Sequence, residues 1–326
     1  MKIFLNFFLL FFLVSKNCFS QHAITEKPVL AASINPVYQI ILAITKDEND
    51  SILIIDPNFS EHDYQLKKSD VESFSKADLV FYSDDNLEII FPKMIKKFSA
   101  EKKSYRLSEV SGLKLLQKRD GSKKLDPHIW LNPKNAIQIA EFMTQKICEI
   151  DHKNSQKYQK NLREFRNEVV ETEKIIHSKL LGIQGLDYVI YHDGYQYFED
   201  YFGVTPLKVM SREHSRDVSV KDVRELDMLT KSHQIKCIFG EILDEKNSAK
   251  KLAESYKIKF ATLSLIGSKK NFSAEKNGYS SLLIGIADNM TNCLNPFKLK
   301  KPNGYILNSL RRTSGAPHSW GTPYQI

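Results

Sequence analysis

The chain has 326 residues and a formal charge of +8, with 47 Lys and Arg against 39 Asp and Glu. Seven of the cations sit at the ends, Lys2 and Lys16 at the front and Lys298, Lys300, Lys301, Arg311 and Arg312 at the back, where no acidic residue follows Asp288. Between Gln21 and Phe297 the balance is 40 basic to 39 acidic residues, which argues against a basic surface of the kind that binds nucleic acid.

At the front, Ile3 to Val14 is apolar apart from Asn6, Lys2 supplies a positive lead, and Cys18 and Ser20 are small residues suited to cleavage. This is the pattern of a secretory signal peptide over residues 1–20. The apolar run falls short of the roughly 20 residues that cross a bilayer. Ser15-Lys16-Asn17 before Cys18 lacks the apolar and small residues of a lipidation box, so no stable membrane anchor is expected. The mature chain is expected to start near Gln21, exported and soluble. Its length before the tail suits two lobes better than one core.

Short apolar strands alternate with amphipathic helices along the first half. Val29 to Ala32, Ser51 to Ile55 and Leu79 to Tyr82 read as strands, and Ser69 to Ser75, Leu87 to Phe98 and Pro133 to Ile150 as helices. Such alternation predicts a βαβ lobe with a mainly parallel sheet over residues 21–152. Residues 153–182 contain a polar stretch, Asn154 to Leu181, with no Gly or Pro before Gly182. Tyr158, Leu162, Phe165, Val169, Ile176 and Leu180 recur at spacings of three and four, with Thr172 in the one gap, so they form a single helical stripe. At 1.5 Å per residue this helix is about 42 Å long, enough to run across both lobes and limit how far they swing.

In the second half, residues 183–297, strands are expected at Tyr188 to Tyr191, Leu207 to Met210, Cys237 to Phe239 and Phe260 to Leu263. Helices follow at Tyr195 to Tyr201, Ser219 to His233, Asn247 to Tyr256 and Tyr279 to Leu294. The first plan is thus repeated. The tail, residues 298–326, holds three Pro and three Gly without hydrophobic periodicity, and is expected to be disordered. Three cysteines remain in the mature chain, in a compartment that permits a disulfide. A bridge between Cys237 and Cys293 would close a loop of about 57 residues and stabilise the second lobe by roughly 4 kcal/mol, leaving Cys148 as a buried thiol.

Three histidines stand beside short apolar runs, His128 behind Pro127 and ahead of Ile129-Trp130-Leu131, and His62 and His192 where a run ends or has just ended, which is where open α/β sheets keep their ligands. They are His62 in Ser60-Glu61-His62-Asp63-Tyr64, His128 in Asp126-Pro127-His128-Ile129-Trp130-Leu131-Asn132-Pro133, and His192 in Tyr191-His192-Asp193-Gly194-Tyr195-Gln196-Tyr197-Phe198. His152, His177 and His233 fall on helices or at their ends among charged residues and read as solvated. His22 sits near the mature N-terminus with nothing to fix it, and His214 follows a strand beside the cleft.

These three runs, with the pair Cys237 and Cys293, resemble the zinc-binding periplasmic solute-binding proteins of metal ABC transporters, over about Pro28 to Leu294. The resemblance implies an α/β fold of two βα lobes with mainly parallel sheets joined by one long helix, with the metal in the cleft between them. It implies a Cys237–Cys293 disulfide, and ligation of Zn²⁺ as the transported ion by His62, His128 and His192. It also implies delivery to an inner-membrane ABC permease with its cytoplasmic ATPase, by a periplasmic protein that is expected to be monomeric and not an enzyme. The ligand chemistry agrees, since Zn²⁺ favours neutral imidazole whereas Mn²⁺ favours carboxylate oxygen, which related manganese binders place at the third motif.

Two departures from the family pattern stand out. Ser264 replaces the aspartate that often follows the last strand, so Glu61, or a water held by it, is the candidate for the fourth position. The stretch from Ser111 to Leu125, where many zinc-binding members carry a His-rich loop, has no histidine but Lys114, Lys118, Arg119, Lys123 and Lys124. A loop so charged is expected, if anything, to repel a metal cation. The alternative readings are a manganese- or iron-binding protein of the same fold, a zinc-dependent hydrolase or lyase, and an adhesin.

Overall fold

The computed structural model describes residues 27–46, 48–60, 64–211, 218–243, 246–267 and 278–295. The signal peptide, the tail, His22, His214, and both Glu61 and His62 lie outside them.

The first sheet is built from β1 (Val29–Ala32), β2 (Asp50–Leu53), β3 (Leu79–Tyr82) and β4 (Ser104–Arg106), in the order β2-β1-β3-β4 with every pairing parallel. Helices α1 (Asn35–Thr45), α2 (Lys68–Lys76) and α3 (Phe91–Phe98) connect its strands, and α4 (Pro133–Ile150) follows. The second sheet repeats the plan with β5 (Tyr188–His192), β6 (Lys208–Ser211), β7 (Cys237–Glu241) and β8 (Lys259–Leu263), in the order β6-β5-β7-β8 and again all parallel. Its helices are α6 (Gln196–Phe202), α7 (Val220–Ser232), α8 (Ser248–Tyr256) and α9 (Gly278–Leu294). In both sheets the order reverses beside the first strand, and ligands of open α/β sheets gather outside the carboxyl ends at such a switch point. Those ends are β1 with β3, and β5 with β7.

Between the sheets runs α5 (Ser155–Leu180), 26 residues and about 39 Å long. Its stripe of Tyr158, Leu162, Phe165, Val169, Thr172, Ile176 and Leu180 is buried throughout. Near its start, Asn161 donates to the Ile44 carbonyl of α1 at 2.8 Å, and the Tyr158 hydroxyl bonds Asn49 at 2.7 Å. Further along, the Phe165 and Tyr279 rings lie 5.7 Å apart, and Lys179 pairs with Asp288 of α9 at 2.5 Å. The helix therefore packs against both halves. One buried cluster also runs through them, from Leu30 and Phe81 through Trp130 and Tyr158 to Leu265, Tyr279 and Leu294.

Two elements escape the sequence reading. The first, α1, buries Val37, Ile40, Ile41 and Ile44, and its half-buried face of Tyr38, Gln39, Leu42 and Ala43 is nearly as apolar, so the two faces contrast little in sequence. The other is the half-buried, three-residue β4 at the sheet edge. The expected helix from Leu87 starts only at Phe91. Upstream, Leu87 and Glu88 donate their N–H groups to the Asp84 carbonyl in a turn. Among the described residues, no helix is long and apolar enough to cross a membrane. Cys237 and Cys293 are bonded, tying β7 to α9, and Cys148 is a half-buried free thiol.

Candidate metal centre

His128 is held by its own tripeptide. The Asp126 carboxylate oxygen Oδ1 lies 2.7 Å from the ring Nδ1 and also accepts the His128 backbone N–H at 3.1 Å, closing a small turn across Pro127. An ionised carboxylate only accepts hydrogen bonds, so Nδ1 carries a proton, and in the neutral ring the lone pair is on Nε2. Both side chains are 3% exposed. The turn is pinned to the first sheet, where Ser83, the residue after β3, donates from its hydroxyl to the Pro127 carbonyl at 2.8 Å. Buried Glu88 in turn accepts the Ser83 N–H at 2.9 Å and the Ser33 hydroxyl at 2.5 Å. Its burial pushes the carboxyl up to about 7, against the opposing pull of those hydrogen bonds. Downstream, Asn132 caps α4 by accepting the N–H groups of Lys134 and Asn135, and Pro133 begins the helix.

His192 is the last residue of β5. The register pairs Ile190 of β5 with Phe239 of β7, so two residues on His192 stands level with Glu241. In parallel strands such neighbours share a face, and the Glu241 Oε1 lies 3.9 Å from the His192 Nε2, with side chains 9% and 7% exposed. Asp193 and Gly194 then turn the chain into α6. A Cβ on Gly194 would stand 2.6 Å from the Leu265 side chain, which explains a residue without one at that point of the motif.

The His128 and His192 rings meet with centroids 6.0 Å apart and planes at 78°, and Trp130 flanks His128 at 5.4 Å. Residues 64 positions apart, one from each half of the chain, are thus brought to one place. Both imidazoles are buried. Several bonds close the lobes around them. The Trp130 indole donates to the Leu265 carbonyl at 2.9 Å, Asn35 to that of Ile266 at 2.8 Å, and the Tyr279 hydroxyl to that of Trp130 at 2.7 Å. Among the described residues, no group of three or more His, Cys, Asp or Glu side chains is placed to hold a metal ion. His62 and Glu61 lie outside those residues, so the described part of the site is a pair of imidazoles with a carboxylate beside one of them.

The sequence reading missed Glu241, Asp126 and Arg119 as parts of this site. Asp126 was within reach, standing two residues before His128 in the same motif. Ser264 accepts the Gly267 N–H at 2.9 Å through its hydroxyl and so caps a turn. Two of the cations in the 111–125 loop have carboxylate partners. Arg119 lies against the buried Asp193 and Glu199, and Lys114 forms a more exposed pair with Asp200 at 2.5 Å. Burial raises the Glu199 carboxyl, to about 7, while the Arg119 guanidinium opposes it. His152, His177 and His233 are exposed, as expected, with His177 edging the Phe202 ring at 5.0 Å.

The family model described as "Zinc-uptake complex component A periplasmic" matches residues 30–293. The high-affinity zinc uptake system protein ZnuA of Haemophilus ducreyi is 28% identical over 293 residues, covering 80% of this chain and 92% of that protein. That of Yersinia pestis is 25% identical over 291 residues, covering 81% and 91%. The structure of the periplasmic zinc binding protein TroA from Treponema pallidum superposes with a TM-score of 0.72 at 17% identity, over 82% of this chain and 99% of that one, and shares the fold. With about four-fifths of its length matched by one model, and two parallel sheets meeting over a pair of buried imidazoles, this chain belongs to the ZnuA family of periplasmic zinc-uptake components.

Proposed function

We propose that this protein captures a zinc ion between His62, His128 and His192, with Glu61 or a water held by it in the fourth position, and hands the ion to an ABC permease driven by its ATPase. It is a binding protein and not an enzyme. The observation that carries the reading is the approach of the His128 and His192 rings, with centroids 6.0 Å apart, each buried and drawn from a different half of the chain. Zn²⁺ sheds most of its water to neutral imidazoles, whose nitrogen suits a borderline-soft ion in a tetrahedral shell. The Nε2 lone pair of His128, fixed by Asp126, is such a donor. Glu241 adds negative charge beside the imidazole ligands, which favours a dication there.

We further read the chain as a monomer without a membrane anchor, exported by the signal at residues 1–20. In this reading, lobes at residues 21–152 and 183–297 are joined by the helix within residues 153–182 and followed by a tail at residues 298–326. The test is the metal content of the exported protein by native mass spectrometry, followed by calorimetry of His128→Ala and His192→Ala. One zinc per chain is expected in the parent and no tight binding in either variant. Unchanged stoichiometry in both variants would remove the two histidines from the site.

A further inference from the structure

The stretch from Lys114 to Asp126 forms a hairpin. Gln117 and Leu125 bridge in antiparallel fashion, the Lys118 N–H donates to the Lys124 carbonyl at 2.8 Å, and the Asp126 N–H to that of Leu116 at 2.9 Å. One end of this hairpin is Asp126, which holds the His128 ring. Along its length it is fastened to the segment that follows His192. Lys114 pairs with Asp200 at 2.5 Å, and the Leu116 N–H donates to the Tyr197 hydroxyl at 2.9 Å. Gln196 donates to the Gln117 carbonyl at 2.9 Å, and Tyr197 to the Asp126 carbonyl at 3.0 Å. At the centre sits Arg119. Its Nε donates to Asp193 Oδ1 at 2.8 Å, its Nη2 reaches the same carboxylate, and its Nη1 donates to Glu199 Oε2 at 2.8 Å. The two carboxylate side chains are 5% and 4% exposed. Such fork geometry between one guanidinium and two buried carboxylates is specific as well as strong, and lysine cannot reproduce it.

We propose that Arg119 is a positioning residue for zinc binding: by clasping Asp193 and Glu199 it fixes the segment that follows His192 to the hairpin that carries the His128 holder, so the two imidazoles form one preorganised pair spanning both lobes. Arg119 touches neither imidazole and acts through Asp193, the neighbour of His192. The inference rests on the assignment of His128 and His192 as zinc ligands. Preorganisation of this kind lowers the ordering cost at the moment of binding, and supports around metal ligands are worth about 10–100-fold in affinity. The sign separates this role from plain electrostatics. If the loop's charge merely repelled the ion, removing a cation would tighten binding.

The experiment is zinc affinity and dissociation rate, measured against a chromophoric chelator, in the full mature protein and in Arg119→Ala, Arg119→Lys and the control Lys123→Ala. Lys123 is an exposed cation on the same hairpin. Arg119→Ala is expected to weaken binding by about tenfold or more, chiefly through faster dissociation. Arg119→Lys should recover only part of it, and Lys123→Ala should leave affinity unchanged or slightly higher. Since Arg119→Ala strands buried carboxylates, the triple variant Arg119→Met, Asp193→Asn, Glu199→Gln serves as a charge-neutral version that folds more readily, and the same loss is expected. Hydrogen exchange without metal gives a readout independent of zinc, with faster exchange of the Leu116 amide and of α6 expected in Arg119→Ala. If the parent binds zinc and both Arg119→Ala and the triple variant match it in affinity and dissociation rate, the clasp is overturned while the ligand assignment stands. A parent that binds no zinc overturns the ligand assignment, and the exchange measurement alone then decides whether the clasp joins the two segments.

Discussion

Asp126 offers the sharpest test of how the site is built. Its Oδ1 accepts from both the Nδ1 and the backbone N–H of His128, at 2.7 and 3.1 Å, with both side chains 3% exposed. Asp126→Asn keeps an oxygen where both donors need one, so the proton stays on Nδ1 and the lone pair of the neutral ring stays on Nε2. What is lost is the negative charge that raises the basicity of the imidazole. Carboxylates that support metal-binding histidines are worth about 10–100-fold in affinity, and the amide should fall near the lower end, about 1.4 kcal/mol. Asp126→Ala removes the oxygen as well. It strands two buried donors at about 1–3 kcal/mol each and frees the ring to choose the other tautomer. The larger loss, about 100-fold, is therefore expected for the alanine variant. Zinc affinity by chelator competition, with imidazole ¹⁵N shifts to read the tautomer, checks both. An alanine variant that folds and binds zinc like the parent would refute the account, because the ring would then need no holder.

Three further outcomes follow from the same structure. Glu241→Gln is expected to weaken zinc binding by about tenfold with the fold intact, since it removes a charge beside His192; equal affinity by calorimetry would mean that the carboxylate does not face the ion. Replacing Cys237 and Cys293 by Ser opens a link spanning 56 positions, and should lower the unfolding free energy in urea by roughly 4 kcal/mol, whereas an unchanged midpoint would contradict the loop-entropy argument. Glu88 has its carboxyl raised from an ordinary 4.5 to about 7 by burial, so between those values the folded protein holds a proton that the unfolded chain has released. Its stabilising contribution is complete below about 4.5 and declines as pH rises through about 7. Glu88→Gln should flatten that part of the curve of melting temperature against pH, and an unaltered slope would show that Glu88 is ionised throughout.

Local chemistry wrote much of this protein into its sequence. The bounds of β1, β3 and α4 and the buried stripe of α5 could be read from periodicity and caps, because each is decided within a few residues of itself. His128 and His192 were legible for the same reason, as polar residues at the edge of short apolar runs, one before Ile129-Trp130-Leu131 and the other at the end of β5. The relations between distant segments were not legible. Glu241 stands beside His192 through the register of β5 against β7, and β7 continues two residues beyond the Phe239 expected from apolar content alone. Arg119 reads in sequence as one more cation in a basic loop. Only packing brings it against Asp193 and Glu199, 74 and 80 positions away, and turns a repelling charge into a fastening one. A chain encodes its turns and faces locally, whereas which faces meet depends on the close packing of two lobes, whose contacts span separations that no local pattern can carry.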